Sequence, residues 1–111
     1  MSQTEVLKVI RKNRTFLVST HVNPDADALA SQLALALYLK SLGKKVHVLN
    51  TDYMPERFMF LPGSELVKKV NRKRQIDYDV AIVVDCGDLN RIDRVKEVLS
   101  KDKPIINIDH H

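Results

Sequence analysis

The spacing of apolar side chains changes repeatedly along this 111-residue chain, and each change marks the edge of an element. Ser2 stands three residues before Glu5, the spacing of a capping box, and Val6, Leu7 and Ile10 then predict a short amphipathic helix up to about Asn13. Phe16, Leu17 and Val18 form an unbroken apolar run that reads as a strand ending near His21. After the Pro24 turn, residues 27–42 predict a long helix, closed by Gly43. That helix is apolar on most faces, which predicts burial on most sides. Val46, Val48 and Leu49 follow as a second strand. Residues 51–77, interrupted by Pro55, Pro62 and Gly63, carry no pattern that assigns an element.

Order returns at Val80, Ala81, Ile82, Val83 and Val84, a β-rich run of the kind covered on both faces in a parallel sheet, ending at Asp85. Ile92, Val95, Val98 and Leu99 predict a helix that Asp88 or Asn90 can cap. Pro104 then leads into Ile105, Ile106 and Ile108, a fourth strand that ends in Asp109, His110 and His111. Such alternation predicts an α/β three-layer sandwich with a mostly parallel sheet, whose ligands collect beyond the carboxyl ends of the strands. His21, the loop residues Asp25 and Asp27, Asp85, and the terminal Asp109, His110 and His111 all fall at that edge.

Composition narrows the picture without redirecting it. The length suits one domain, and 44% hydrophobic with 29% charged residues is an ordinary globular balance. The longest apolar run, residues 33–39, is too short to span a bilayer. Residues 1–20 lack the pattern of a secretory signal, and the single cysteine, Cys86, cannot form an intrachain disulfide, so a cytoplasmic location is expected. A net charge of +4 permits an anionic ligand. Its main cluster, Lys68, Lys69, Arg72, Lys73 and Arg74, reads as a solvated surface segment, the alternative being a contact to a phosphate backbone.

Imidazoles and carboxylates gathered at one edge would repel one another unless something positive sat among them, and a divalent metal is the simplest candidate. Nitrogen and oxygen donors without thiolate suit Mn2+, with Co2+, Mg2+, Zn2+ or Fe2+ as substitutes. The donors are too numerous for one ion, and two ions would activate a water and clamp a phosphoryl group.

HVNPDADALAS, VVDC and IDHH resemble, in order and spacing, the first three motifs of the DHH phosphoesterase family, across residues 21–111. The resemblance implies a Rossmann-like domain in which His21, Asp25 and Asp85 hold one metal, Asp27, Asp85 and His110 hold the second, and Asp85 bridges. It further implies that His111 contacts the scissile phosphate, that Asp109 orients the neighbouring histidines, and that Ser31, on the helix face of Asp27, lies near substrate. The HVNPDAD form, with Cys86 and Gly87 after Asp85, resembles the RecJ-like branch of nanoRNases and phosphoadenosine-phosphate (pAp) phosphatases. Short oligonucleotides or small phosphorylated nucleotides are the implied substrates. The family's fourth-motif aspartate and C-terminal substrate-binding domain are not in this chain, which is therefore expected to be the amino-terminal part of a longer enzyme, inactive or weakly active alone. A metal- and nucleotide-binding module without turnover, or a pyrophosphatase-like enzyme, is the alternative.

Other residues carry simpler expectations. His47 reads as an exposed strand histidine, and Cys86 as a small buried residue. Tyr53, Phe58 and Phe60 read as core for the irregular segment, the alternative being stacking on a base. Arg91 either binds a substrate phosphate or faces solvent. Ending at a strand leaves an edge to pair, which predicts self-association or a homodimer.

Overall fold

A computed structural model describes residues 2–71 and 73–108, so Met1, Arg72, Asp109, His110 and His111 lie outside the described residues. The fold begins with α1 (Gln3–Lys12), where the Ser2 hydroxyl accepts from the Glu5 N–H at 3.2 Å as predicted. Five strands follow: β1 (Thr15–Thr20), β2 (Lys45–Asn50), β3 (Val67–Lys69), β4 (Val80–Val84) and β5 (Ile105–Ile108). They form one sheet in the order β3-β2-β1-β4-β5, with every pairing parallel. The chain winds outward from β1 to β2 and β3, then crosses to β4 and β5. That reversal puts the crevice between the carboxyl ends of β1 and β4.

Helix α2 (Ala26–Ser41) joins β1 to β2, starting a residue earlier than the sequence suggests, with Asp25 as its N-cap. Its end follows from Gly43, whose φ of +80° places it in the left-handed region. The Gly43 N–H donates to the Lys40 carbonyl at 2.9 Å and the Lys44 N–H to the Leu39 carbonyl at 3.1 Å, the paired bonds of a Schellman stop. Ala28, Leu29, Gln32, Leu33, Ala36 and Leu39 are buried, but Leu37 (39%) and Tyr38 (47%) are exposed, so this apolar helix is covered on one side only.

Because each strand alternates its side chains, the two faces of the sheet build separate cores. Phe16, Val18, Val80, Ile82, Val84 and Ile106 pack against Ile10 of α1 and Leu39 of α2. Leu17, Leu49, Ala81 and Val83 face the other way and meet Tyr78, Ile92 and Val95. The layers are therefore helices, sheet, and a second covering segment, the sandwich expected from the alternation. Among the described residues no helix is long and apolar enough to cross a membrane.

The covering segment differs from expectation. Residues Leu89–Val98 form 3-10 turns kinked at Asp93 (φ 50°, ψ −117°), not an α-helix. The physical reason is the period: Leu89, Ile92, Val95 and Val98, all packed on one core, are spaced by three, the repeat of a 3-10 helix. The unassigned residues 51–77 contain two 3-10 turns, Glu56–Phe58 and Ser64–Leu66, and the edge strand β3, so β5 is the fifth strand and not the fourth. Within β3, Lys68 and Lys69 are exposed, in keeping with a solvated basic segment. The aromatic expectation fails: Tyr53 and Phe60 are each 76% exposed, and only Phe58 is half-buried. His47 is half-buried rather than exposed, because it points to the same side as Leu17 and Leu49. Cys86 is buried, its thiol donating to the Asp88 carbonyl.

Candidate metal centre at the carboxyl edge of the sheet

The end of β1 and the end of β4 are fastened to each other before the site begins. The buried Thr20 hydroxyl donates to the Val84 carbonyl at 2.7 Å, and the Asp85 N–H donates to the Ile108 carbonyl at 2.8 Å, so the exits of β1, β4 and β5 are held at one level. One residue beyond Thr20 the chain reaches His21, and one beyond Val84 it reaches Asp85. Asp85 has a φ of 52° and Asn23, in the loop after His21, a φ of 49°. Non-glycine residues enter that left-handed region at a cost, most readily Asn and Asp, and such conformations gather at functional sites.

These exits bring His21, Asp25 and Asp85 together, with one ligand atom from each lying within 4.8 Å of the others. His21 Nδ1 is 2.6 Å from the Val22 carbonyl. A carbonyl can only accept, so Nδ1 is the donor in this contact, which leaves Nε2 as the ring nitrogen open to a metal. Asp25 has two tasks. One carboxylate oxygen accepts from the Ala28 N–H at 2.8 Å to start α2, which fixes the orientation of the group and leaves its other oxygen available. The second carboxylate, Asp85, is half-buried.

Two carboxylates at such spacing repel by about 1 kcal/mol in water and several-fold more at an effective dielectric near 20. A cation removes that cost. A six-coordinate ion with bonds of about 2.1 Å spaces its donors by roughly 3 to 4.2 Å, so this set has to draw in around an ion, further for a pair at right angles than for a pair across it. One imidazole nitrogen and two carboxylates, with Cys86 engaged elsewhere, fit a borderline-to-hard divalent metal.

The remaining predicted residues are placed less uniformly. Asp27 is not in the loop but in the first turn of α2, exposed, and Ser31 is half-buried on the same helix. Arg91 is exposed within the 3-10 segment, and its carbonyl accepts from the Val22 N–H at 2.7 Å, binding that segment to the His21 loop. Asp109, His110 and His111 lie outside the described residues, so the second ligand set, which needs His110, is not assembled among them.

Sequence reading missed the neighbouring cleft, about 210 Å3, which opens beside His21 toward the exit of β2. Its lining includes Asn50 at the end of β2, and Thr51, Asp52, Tyr53 and Arg57 from the segment that had no assigned elements. The available signal was positional: Asp52 and Tyr53 follow directly on a strand end. Below the cleft Gln32 and Asn50 exchange amide hydrogen bonds, Gln32 Nε2 to Asn50 Oδ1 at 2.8 Å and Asn50 Nδ2 to Gln32 Oε1 at 2.9 Å.

The DHH family, N-terminal domain, matches the chain over residues 15–111. The bifunctional oligoribonuclease and PAP phosphatase NrnA of Thermus thermophilus is 33% identical over 108 residues, covering 96% of this chain and 30% of that protein. The crystal structure of an exopolyphosphatase-related protein from Bacteroides fragilis superposes with a TM-score of 0.85 at 29% identity, over 97% of this chain and 34% of the other. The chain thus spans about a third of the length of these relatives.

Proposed function

From the premise that this chain belongs to the DHH family, we propose that it is the metal-holding, amino-terminal part of a phosphoesterase that hydrolyses short oligonucleotides or small phosphorylated nucleotides such as pAp. The observation that carries this reading is the convergence of His21, Asp25 and Asp85, with His21 Nδ1 engaged by the Val22 carbonyl and Nε2 left open to a metal. Mn2+ is the metal this donor set favours, with Co2+, Mg2+ or Zn2+ as substitutes. When bound, the metal supplies a Lewis acid for a phosphoryl oxygen and a water acidified enough to attack phosphorus.

The residues divide the remaining work. His21, Asp25 and Asp85 hold the first ion. Asp27 and His110, together with Asp85, would hold a second. Asp27 stands in the first turn of α2, where its charge is also favoured by the helix dipole. His111 donates to the charge that grows on the phosphate oxygens, and Asp109 orients the two histidines. Ser31 and Arg91 contact substrate, Arg91 from a backbone already pinned to the His21 loop. A further metal ligand and a base-recognising domain belong to the part of the enzyme beyond residue 111. A second copy of the chain pairing along β5, whose Ile105 is 39% exposed, belongs to the same proposal, as does a cytoplasmic setting.

The test compares the 111-residue chain with a chain continued through the length of its relatives. The continued chain should release product from a short oligoribonucleotide and from pAp with Mn2+ and stop on chelation. The shorter chain should be slower by at least about 100-fold, the scale of a lost electrostatic stabiliser. Metal and nucleotide binding without turnover in both chains would leave only the binding-module reading. Turnover of pyrophosphate alone would favour the pyrophosphatase-like one.

A further inference from the structure

Tyr53 belongs to two hollows at once. On one side it lines the cleft beside His21, and on the other an open groove of about 710 Å3 whose remaining lining includes Lys68, Lys69, Lys73, Arg74 and Arg94. The groove joins three separate pieces of chain: the exit of β2 at Tyr53, the edge strand β3 and the turn after it, and the 3-10 segment that supplies Arg94. No acidic residue lines it among the described residues. Four of the five cations come from residues 68–74, and Arg94, from a distant part of the sequence, joins them on the same surface beside the Tyr53 ring, which distinguishes this groove from a run of neighbouring lysines in solvent. The groove also starts where the metal-side cleft ends.

The ring at the junction adds a second chemistry. Lys69 Nζ lies 5.0 Å from the centroid of the Tyr53 ring, while the residue remains 76% exposed. A cation against one face of an aromatic ring leaves the other for stacking, and base–aromatic stacking accepts any base. Basic walls with one exposed ring suit a ligand with alternating phosphates and bases, whereas a simple polyanion has nothing to stack.

We propose that this groove is a shelf for the sugar–phosphate backbone of a single-stranded oligonucleotide, entered past Tyr53, and that it makes the site discriminate by length. It rests on the phosphoesterase reading only for what happens at the metal end, because shelf binding occurs without turnover. A mononucleotide seated by His21 engages no more than the Tyr53 ring. An oligonucleotide continues past Tyr53 onto Lys69, Arg74 and Arg94.

Fluorescence anisotropy with a labelled pentaribonucleotide, in chelator to prevent turnover, tests the shelf, with a dinucleotide and inorganic polyphosphate as competitors. The pentamer should bind more tightly than the dinucleotide. Lys73→Gln with Arg94→Gln should weaken the pentamer about tenfold and flatten its salt dependence by about 1.4 log units per log unit of salt, the value for two lost phosphate contacts on a single strand. Dinucleotide affinity should stay within twofold. Tyr53→Ala should weaken the pentamer by about 5- to 150-fold, while Tyr53→Phe restores it, which a general effect on folding would not do. Equal affinity for pentamer and dinucleotide, an unchanged salt slope, or polyphosphate competing as well as the pentamer would overturn the shelf. Length-dependent binding with no Mn2+-dependent hydrolysis by the continued chain would uphold the shelf and sink the phosphoesterase reading. Hydrolysis with no length dependence would do the reverse.

Discussion

Asp79 stands immediately before β4 and Asp85 immediately after it, and the fold treats the two carboxylates in opposite ways. Asp79 accepts from the backbone N–H groups of Arg14 and Thr15, both at 3.0 Å, so it ties the entrance of β1 to that of β4. The Arg14 and Thr15 N–H groups hold its carboxyl below the usual carboxylate range, with smaller help from Lys103 and the Arg14 charge. Asp85 sits at a positive φ, beside a second carboxylate and an imidazole. One end of the strand surrounds its carboxylate with donors, and the other gathers acceptors. The same residue type thus serves as a staple at the amino edge and as a prospective ligand at the carboxyl edge. What separates the two roles is the company each carboxylate keeps: two backbone N–H donors around Asp79, a second carboxylate and an imidazole beside Asp85.

The largest expected effect is at the carboxyl edge. Asp85→Asn and Asp25→Asn should each lower Mn2+ affinity by at least about 100-fold in calorimetry, above the 10- to 100-fold typical of losing a mere supporting contact. Asp25→Ala should lose the metal equally and also destabilise the chain by about 1 kcal/mol in urea, because alanine cannot cap α2. Undiminished Mn2+ binding by Asp85→Asn would erase the distinction between the two ends of β4.

At the amino edge the effect should fall on stability alone. Asp79→Ala should cost about 1 kcal/mol, a value kept low because the group is solvent-exposed, and leave Mn2+ affinity unchanged. Because the folded state holds the Asp79 pKa below its unfolded value, its contribution is fully present above the ordinary carboxylate range. It is lost as pH falls through the depressed value. Urea titrations at pH 7 and pH 3 should therefore show the wild type and Asp79→Ala converging in acid. A loss of metal affinity in this variant would show that the staple and the site are coupled.

The smallest effect concerns His47, whose pKa is lowered by burial first and then by Lys45 and Arg74, against an opposing hydrogen bond to the Asp77 carbonyl. The unfolded chain takes up a proton near the ordinary histidine value before the folded chain does, so stability declines as pH drops below about 6.5. His47→Gln should shrink the loss of stability between pH 7 and pH 5 by less than Asp79→Ala shrinks the loss below pH 4. An unchanged slope would mean that the half-buried ring does not titrate differently on folding.

How much of this was readable from the residues depended on whether local pattern or tertiary contact decided each feature. The runs at Phe16 and Val80, and the glycine stop at Gly43, sit in their local sequence and appear in the structure as strands and a Schellman stop. Strand β3 is only three residues long with two lysines, so no period could reveal it, and its pairing with β2 makes it a strand. The spacing of three from Leu89 to Val98 did hold the sign of a 3-10 helix, but over so few turns it resembles an α-helical stripe. Within the site, His21, Asp25 and Asp85 were accessible because strand ends are where an α/β sheet binds ligands. Tyr53 was misread because aromatic character suggests burial, and only the open turn after β2 explains its exposure.

The reciprocal amides of Gln32 and Asn50 bear on which way round α2 lies. A helix rich in leucine and alanine on nearly every side has no strong preference about which side it turns inward, and Leu37 and Tyr38 would fill a core about as well as Leu33 and Ala36. Hydrocarbon alone therefore leaves the roll of the helix degenerate. Rolled by one residue, roughly 100° about its axis, α2 would strand two buried amides, at about 1–3 kcal/mol each. The amide pair acts as an orientation key: it contributes selection among alternatives more than net stability, and the heading of the Asp25 carboxylate depends on two neutral side chains that stand outside the metal-binding set.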